Sequence, residues 1–152
     1  MALSDDIQLL SAVPLFSGLD ADQIRLIAFG AEHRPISAGQ ALFREKAPAE
    51  CAYVVVRGKL DLYVIGRDGT QTLGASVGPG VMLSELALVT MVERKFTAVA
   101  VEDVDVIRIT RSLFHRLLEE YPAMARHVET RIRKTLGDLM EGSASLAPRF
   151  AE

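Results

Sequence analysis

The sequence has little of several features that mark particular classes of protein. It contains no tryptophan and a single cysteine, Cys51, which excludes an internal disulfide and a zinc site built on cysteines. No apolar run approaches the roughly 20 residues that a membrane-spanning helix needs. The N-terminus carries Asp5 and Asp6 where a secretory signal would be basic. We therefore expect a cytoplasmic protein with no membrane segment.

Basic charge and catalytic motifs are also scarce. The formal net charge is −3, with 17 basic and 20 acidic residues, whereas a protein that binds nucleic acid through its overall field is basic. HExxH, a Walker loop and CxxC are absent, and His33, His115 and His127 lack the spacing of metal ligands. The sequence therefore predicts neither an enzyme, nor a metal site, nor direct DNA binding.

A length of 152 residues with 49% hydrophobic residues predicts one domain with a sizeable core. The hydrophobic period divides this domain into a helical segment (1–31), a strand-rich segment (32–110) and a second helical segment (111–141). The small-residue-rich tail 142–152 is expected to fray.

Capping and periodicity locate the helices. Ser4 is expected to cap a short helix over 3–12, and Asp20 with Gln23 predicts a capping box for the next. Thr110 or Ser112 is expected to cap a helix that precedes Tyr121-Pro122. The helix over 122–140 has an apolar stripe formed by Met124, Val128, Ile132, Leu136 and Leu139. This stripe either packs across the barrel or pairs with a second copy, and we favour a homodimer through 122–140.

The middle of the chain reads as about eight short strands separated by glycine turns. Leu60–Ile65 and Asp105–Ile109 are two of them, Phe96–Val101 is another, and Asp68-Gly69 predicts a hairpin. This spacing favours a sandwich or barrel, and the absence of alternating strand–helix units argues against a Rossmann-type sheet.

The segment 78–99 contains the clearest candidate site. Gly-Pro-Gly turns the backbone, and Ser84 is expected to cap a single helical turn whose free N–H groups would attract an anion. Glu85 can accept hydrogen bonds from sugar hydroxyls, and Arg94 can grip a phosphate through parallel N–H bonds.

Several motifs together resemble the cyclic nucleotide-binding domain of the catabolite-activator and protein-kinase-A regulatory-subunit superfamily, over roughly residues 12–140. They are SAGQALFRE (37–45), YVVVRGKLDLYV (53–64), DGTQTLG (68–74), GPG (78–80), SELAL (84–88), ERKFTA (93–98) and LFHRLLEEYP (113–122). The resemblance implies a mainly β fold with flanking helices. Its centre is an eight-stranded β-roll (a double-stranded β-helix or jelly-roll), preceded by N-terminal helices and followed by a long C-terminal helix. We call residues 78–99 the cassette.

The resemblance also assigns roles within the cassette. Glu85 is expected on the ribose 2′-hydroxyl and Arg94 on the cyclic phosphate of cAMP or cGMP. Backbone N–H groups near Leu86 and Ala87 are expected on the same phosphate, and Thr97 near the edge of the base. The candidate ligand-binding residues are Ser84, Glu85, Leu86, Ala87, Arg94, Lys95 and Thr97.

The cassette departs from the family pattern at positions where the family has glycine, proline or small residues, which leave space for the ligand. Ser84 replaces a glycine, Glu93 a proline, and Lys95 and Phe96 small residues; Lys46 replaces a turn glycine outside it. Phe96 either stacks on the nucleotide or fills its space. Lys95 is expected to face away from Arg94, towards solvent.

Two hypotheses of function follow. The first is a sensor that binds cAMP or cGMP and signals through the C-terminal helices to an effector protein that the sequence does not name. The alternative is a degenerate domain without nucleotide, in which Glu85 and Arg94 pair with each other and which acts in dimerisation or protein interaction. Only about a dozen residues follow Met140, too few for the DNA-binding domain of the catabolite-activator type.

Overall fold

The computed structural model describes residues 3–141, except for the side chains of 135–141. The helices are α1 (Leu3–Ser11), α2 (Ala21–Gly30), α3 (Arg111–Glu120) and α4 (Pro122–Glu141), with 3₁₀ helices at Pro14–Phe16 and Glu85–Leu88. The strands are β1 (Glu32–Ile36), β2 (Ala41–Phe43), β3 (Pro48–Ala49), β4 (Cys51–Arg57), β5 (Leu60–Ile65), β6 (Gln71–Val77), β7 (Met82–Leu83), β8 (Val92–Glu93), β9 (Thr97–Ala100) and β10 (Val104–Thr110). The predicted fraying of 142–152 lies outside the described residues.

Eight of these strands form a β-roll, as predicted. They make two four-stranded antiparallel sheets, in the orders β1-β10-β4-β7 and β2-β9-β5-β6. The remaining two strands, β3 and β8, pair as a separate ribbon that aligns Pro48 with Glu93. Two-residue strands are too short to show a period in sequence, so this ribbon was not predicted. It brings the loop after β2 against the second half of the cassette.

Strand β4 divides the interior into two cores. Successive strand side chains point to opposite faces, and here both faces are covered, so all residues from Cys51 to Val56 are buried. Tyr53 and Val55 join the core between the two sheets. Val54 and Val56 join the core formed with the helices.

Side chains fix the starts of two helices as predicted. Asp20 Oδ1 accepts from the Gln23 amide (2.8 Å) while Gln23 Oε1 accepts from the Asp20 amide (3.0 Å), which completes the capping box. Thr110 Oγ1 accepts from the Leu113 amide, so α3 begins directly after β10. The predicted Ser4 cap is wrong, because α1 begins at Leu3 and Ser4 lies inside it.

The apolar stripe of α4 packs against its own chain. Met124 and Val128 are 0% and 1% exposed, and Ile132 is also buried in the core that includes Phe114. The expectation of a homodimer seam through these three residues is therefore wrong, since their own domain covers them. Leu136 and Leu139 lie among the side chains that are not described.

His33 links α1 to the sheet through two carboxylates. Its Nε2 lies 2.7 Å from Asp6 Oδ2, and its Nδ1 lies 3.0 Å from Asp105 Oδ2. A carboxylate only accepts, so both contacts are hydrogen bonds only when the imidazole carries two protons. Burial works against that charge, but the hydrogen bonds and negative charges of Asp6 and Asp105 outweigh it and raise the pKa of His33 above 6.5.

Replacing Val128 with aspartate should therefore unfold the domain. The buried carboxylate would have no partner in an apolar core, and we expect a loss of about 4 kcal/mol or more in the free energy of unfolding. Thermal unfolding followed by circular dichroism, with light scattering for mass, measures this. Arg126→Ala, on the exposed side of the same helix, is the control and should change little. If the wild type were a dimer and Val128→Asp a folded monomer, the hypothesis of a homodimer seam at this residue would be supported again.

Stability should depend on pH through His33. Its folded-state pKa is raised, so its contribution is fully present below the unfolded-state value near 6.5 and is lost as the pH rises through the folded-state value. Urea unfolding at about pH 6 and about pH 9 should show that His33→Gln destabilises more at the lower pH. His115→Gln, at an exposed histidine, is the control. An equal loss at both pH values would contradict the charged bridge.

Candidate ligand-binding site

The cassette turn is built on a left-handed residue. Ser84 has φ 64° and ψ 46° and makes no capping hydrogen bond with its side chain, so its predicted role as a side-chain cap is wrong. Its backbone instead adopts the conformation that glycine takes most readily. The Ala87 amide donates to the Ser84 carbonyl at 3.0 Å and closes the 3₁₀ turn. A phosphate can receive that N–H only if this bond is broken or shared.

A second left-handed residue lies opposite the cassette. Lys46 has φ 71°, and its amide donates to the Arg94 carbonyl at 2.7 Å. The Arg94 amide donates in turn to the Ala47 carbonyl at 2.8 Å. These two bonds extend the β3–β8 ribbon and fix the loop after β2 beside the backbone of Arg94.

The Arg94 side chain points into the roll. It is 5% exposed, and its guanidinium donates from Nη1 to the Cys51 carbonyl (2.9 Å) and from Nη2 to Cys51 Sγ (3.3 Å). Its Cζ lies 4.5 Å from the ring centroid of Phe43 and 5.4 Å from that of Tyr53, distances at which a cation is attracted to an aromatic face. Arg94 therefore rests on groups from β2 and β4.

The contacts of the Arg94 guanidinium include a carbonyl, a thiol and two aromatic rings. A buried charge is costly unless an opposite charge or a full set of hydrogen bonds compensates it. The phenol of Tyr53 adds no negative charge, because burial and then the neighbouring Cys51 raise its pKa above 10.0. The site thus contains a buried cation, a group that attracts an anionic ligand.

Phe96 and Thr97 occupy the far end of the cassette. Phe96 is 1% exposed, and its ring centroid lies 5.4 Å from that of Phe43, so Phe96 fills the interior of the roll. It lies in a bend, and β9 begins one residue later than predicted. Thr97, also buried, accepts the Glu45 amide on its Oγ1 at 2.9 Å and so holds the loop after β2.

The remaining predicted residues differ in burial. Glu85 and Leu86 are half-buried, Ala87 is buried, and Lys95 is exposed. The exposure of Lys95 beside the buried Arg94 agrees with the expectation that Lys95 faces solvent.

Two spaces meet at Lys95. The first encloses about 10 Å³, room for roughly one water molecule, and is lined by Ser84, Leu86, Val92, Glu93 and Lys95. The second is an open cleft of about 390 Å³, within the usual range for small-molecule sites, and is lined by Glu45, Lys46, Arg94 and Lys95. Four of the predicted residues, Ser84, Leu86, Arg94 and Lys95, therefore line these two neighbouring spaces, but the enclosed space beside the cassette turn is smaller than a nucleotide.

A match to a known family completes the assignment. The family model described as the cyclic nucleotide-binding domain matches residues 33–121, more than half of the chain. The chain belongs to the cyclic nucleotide-binding domain family. The match runs from within β1 to the end of α3 and includes the whole cassette.

Three relatives illustrate the range of this family. A cyclic nucleotide-binding-like protein from Brucella abortus is 45% identical, with a TM-score of 0.70 over 76% of this chain and 98% of that chain. The regulatory domain of Toxoplasma gondii protein kinase A, solved with cAMP, is 25% identical, with a TM-score of 0.72 over 91% of this chain and 53% of that chain. Lysophospholipase NTE1 from Chaetomium globosum is 30% identical over 116 residues, which cover 74% of this chain and 8% of that protein. The chain thus spans a small part of that curated relative.

One catalytic pattern in the sequence of this cyclic nucleotide-binding domain was not predicted. Residues 74–78 spell GxSxG, but Ser76 lies within β6 and donates its hydroxyl to Asp61 Oδ1 at 2.6 Å. A nucleophile elbow needs a sharp turn from a strand to a helix, which is not the geometry here.

The helices within residues 3–141 include no candidate for a membrane span, because none combines the required length with the required hydropathy.

Arg111 connects the cassette to the C-terminal helices of the cyclic nucleotide-binding domain. Its Nε donates to the Ala87 carbonyl at 2.9 Å, and its Nη2 donates to the Ala49 carbonyl at 2.7 Å. Arg111 is also the first residue of α3. A movement of the cassette turn would therefore act directly on the start of α3.

Ser84→Gly should stabilise this domain. A left-handed non-glycine residue costs about 1–2 kcal/mol, whereas glycine costs roughly 0.5–1 kcal/mol in unfolded-state entropy, so we expect a net gain of about 0.5 kcal/mol. Urea unfolding measures the change. Ser84→Ala keeps the left-handed backbone and removes only the hydroxyl, so it should bring no gain. If alanine stabilised as much as glycine, backbone strain would not be the cause.

Proposed function

We propose that this domain is a regulatory module that binds a cyclic mononucleotide, cAMP or cGMP, at the cassette and signals through α3 and α4. The observation that carries the proposal is the buried guanidinium of Arg94 in the cassette, which the carbonyl and thiol of Cys51 hold in place. An anionic phosphate would pair with this cation. Membership of the family, and a relative whose regulatory domain was solved with cAMP, support the same ligand class.

The phosphate would bind through charge-assisted hydrogen bonds. A hydrogen bond to a charged group contributes about 1.5–3 kcal/mol, and a phosphate oxygen is a stronger acceptor for Arg94 than the Cys51 thiol. Glu85, at the start of the 3₁₀ turn, would accept from a ribose hydroxyl.

Ligand binding would require the cassette to open. The enclosed space beside Ser84 and Leu86 is about 10 Å³, so the form that holds a ribose and a base is a different, less populated arrangement. The apparent affinity is then lower than the intrinsic affinity by the fraction of molecules in that form. The bond from Arg111 to the Ala87 carbonyl would pass the movement of the turn to α3.

Titration of the wild-type domain with cAMP and with cGMP by calorimetry tests the proposal. We expect saturable binding of at least one nucleotide and a loss of about 10–100-fold in affinity for Arg94→Gln, from the loss of a charge-assisted contact. Arg94→Lys keeps the charge without the planar fork and should bind with intermediate affinity. Circular dichroism of each variant checks that the fold is kept. The absence of binding by the wild type would refute the proposal.

A second function is favoured by one observation. Phe96 is 1% exposed and fills the interior of the roll beside Phe43, where a nucleotide would need room. A domain that keeps this packing would bind no nucleotide and would act through protein interaction alone. Phe96→Ala separates the two cases, because it should create or strengthen nucleotide binding only if the ring is what closes the site.

A further inference from the structure

The cleft beside Arg94 carries more positive than negative charge. It has a volume of about 390 Å³ and is lined by three basic residues and one acidic residue, Lys46, Arg94, Lys95 and Glu45. Glu45 Oε1 accepts from the Ile65 amide at 3.2 Å, so part of this carboxylate is already used within the fold. The cleft is therefore open to solvent beside Arg94.

Lys46 combines three properties that are rare in one residue. It holds a left-handed backbone at φ 71°, which costs a non-glycine residue about 1–2 kcal/mol. Its side chain is exposed, and among the ion pairs of the residues that the structure describes it takes no part. Its backbone is fixed to the Arg94 carbonyl at 2.7 Å. A strained backbone that presents a charge beside a candidate site indicates a functional constraint.

We propose that Lys46 is a second cation for the ligand's phosphate, and that Lys46 and Arg94 form a phosphate-capturing subsite in this cleft. The inference rests on the proposed function and adds a residue to it. The ligand class is a phosphate ester. Arg94 supplies directed N–H donors and Lys46 supplies a mobile point charge.

The geometry allows capture before the cassette opens. A guanidinium has five N–H donors, more than the two bonds to Cys51 use. A phosphate that enters the cleft would meet the exposed Lys46 before the buried Arg94. Opening of the cassette around the sugar and base would follow, with the phosphate already held.

The test compares Lys46→Asn with Lys46→Arg by calorimetric titration with cAMP at about 50 mM and about 300 mM salt. Asparagine accepts the left-handed backbone and removes the charge, whereas arginine keeps the charge. We expect Lys46→Asn to weaken binding about fivefold at low salt, the effect of one nearby charge in water, and less at high salt. Lys46→Arg should remain within about twofold of the wild type.

The outcomes separate this inference from the proposed function. If Lys46→Asn binds cAMP as tightly as the wild type at low salt while Arg94→Gln binds about 10–100-fold more weakly, the capture subsite is refuted and the proposed function stands. Inorganic pyrophosphate provides a readout without a nucleotide. If the wild type binds no cyclic nucleotide but pyrophosphate raises its melting temperature, and not that of Lys46→Asn, the subsite stands without the proposed function. If neither probe binds the wild type, both are refuted.

Discussion

The burial of the Arg94 guanidinium is the constraint on which the candidate site depends. A buried cation needs acceptors, and Arg94 finds them at Cys51, with the faces of Phe43 and Tyr53 around it. These groups come from β2 and β4, which belong to different sheets. The site therefore exists only when both sheets and the β3–β8 ribbon are in place. The same arrangement holds a positive charge inside the roll, which makes it suited to an anion.

The fold was largely predictable because its signals are local. The capping box at Asp20, the Thr110 cap and the glycine turns between short strands each depend on residues within a few positions of one another. The two-residue strands of the ribbon carry no such signal. The surface that covers the apolar stripe of α4 was also not predictable, since Met124 and Val128 have the same spacing whether their own chain or a second copy covers them.

The candidate site was predictable in its motif but not in its surroundings. Glu85 and Arg94 are recognisable from the cassette pattern, yet no sequence pattern links Arg94 to Cys51, 43 positions earlier. The two positions where this sequence replaces a family glycine could have predicted backbone conformation. Ser84 and Lys46 both have a left-handed backbone, so the family glycine predicts the turn even where another residue stands in its place. What the change adds, a hydroxyl at one position and an ammonium at the other, depends on neighbours that only the folded chain supplies.

Arg111 joins the cassette turn, β3 and α3 through one side chain. One side chain holds a carbonyl of the cassette turn and a carbonyl of β3, at 2.9 and 2.7 Å, from the first residue of a helix. Hydrogen bonds weaken steeply with distance and angle, so this contact is either made or lost over a displacement of about 1 Å. A single side chain therefore holds the start of α3 at two points, and its loss would free the helix from the cassette turn and from β3 together.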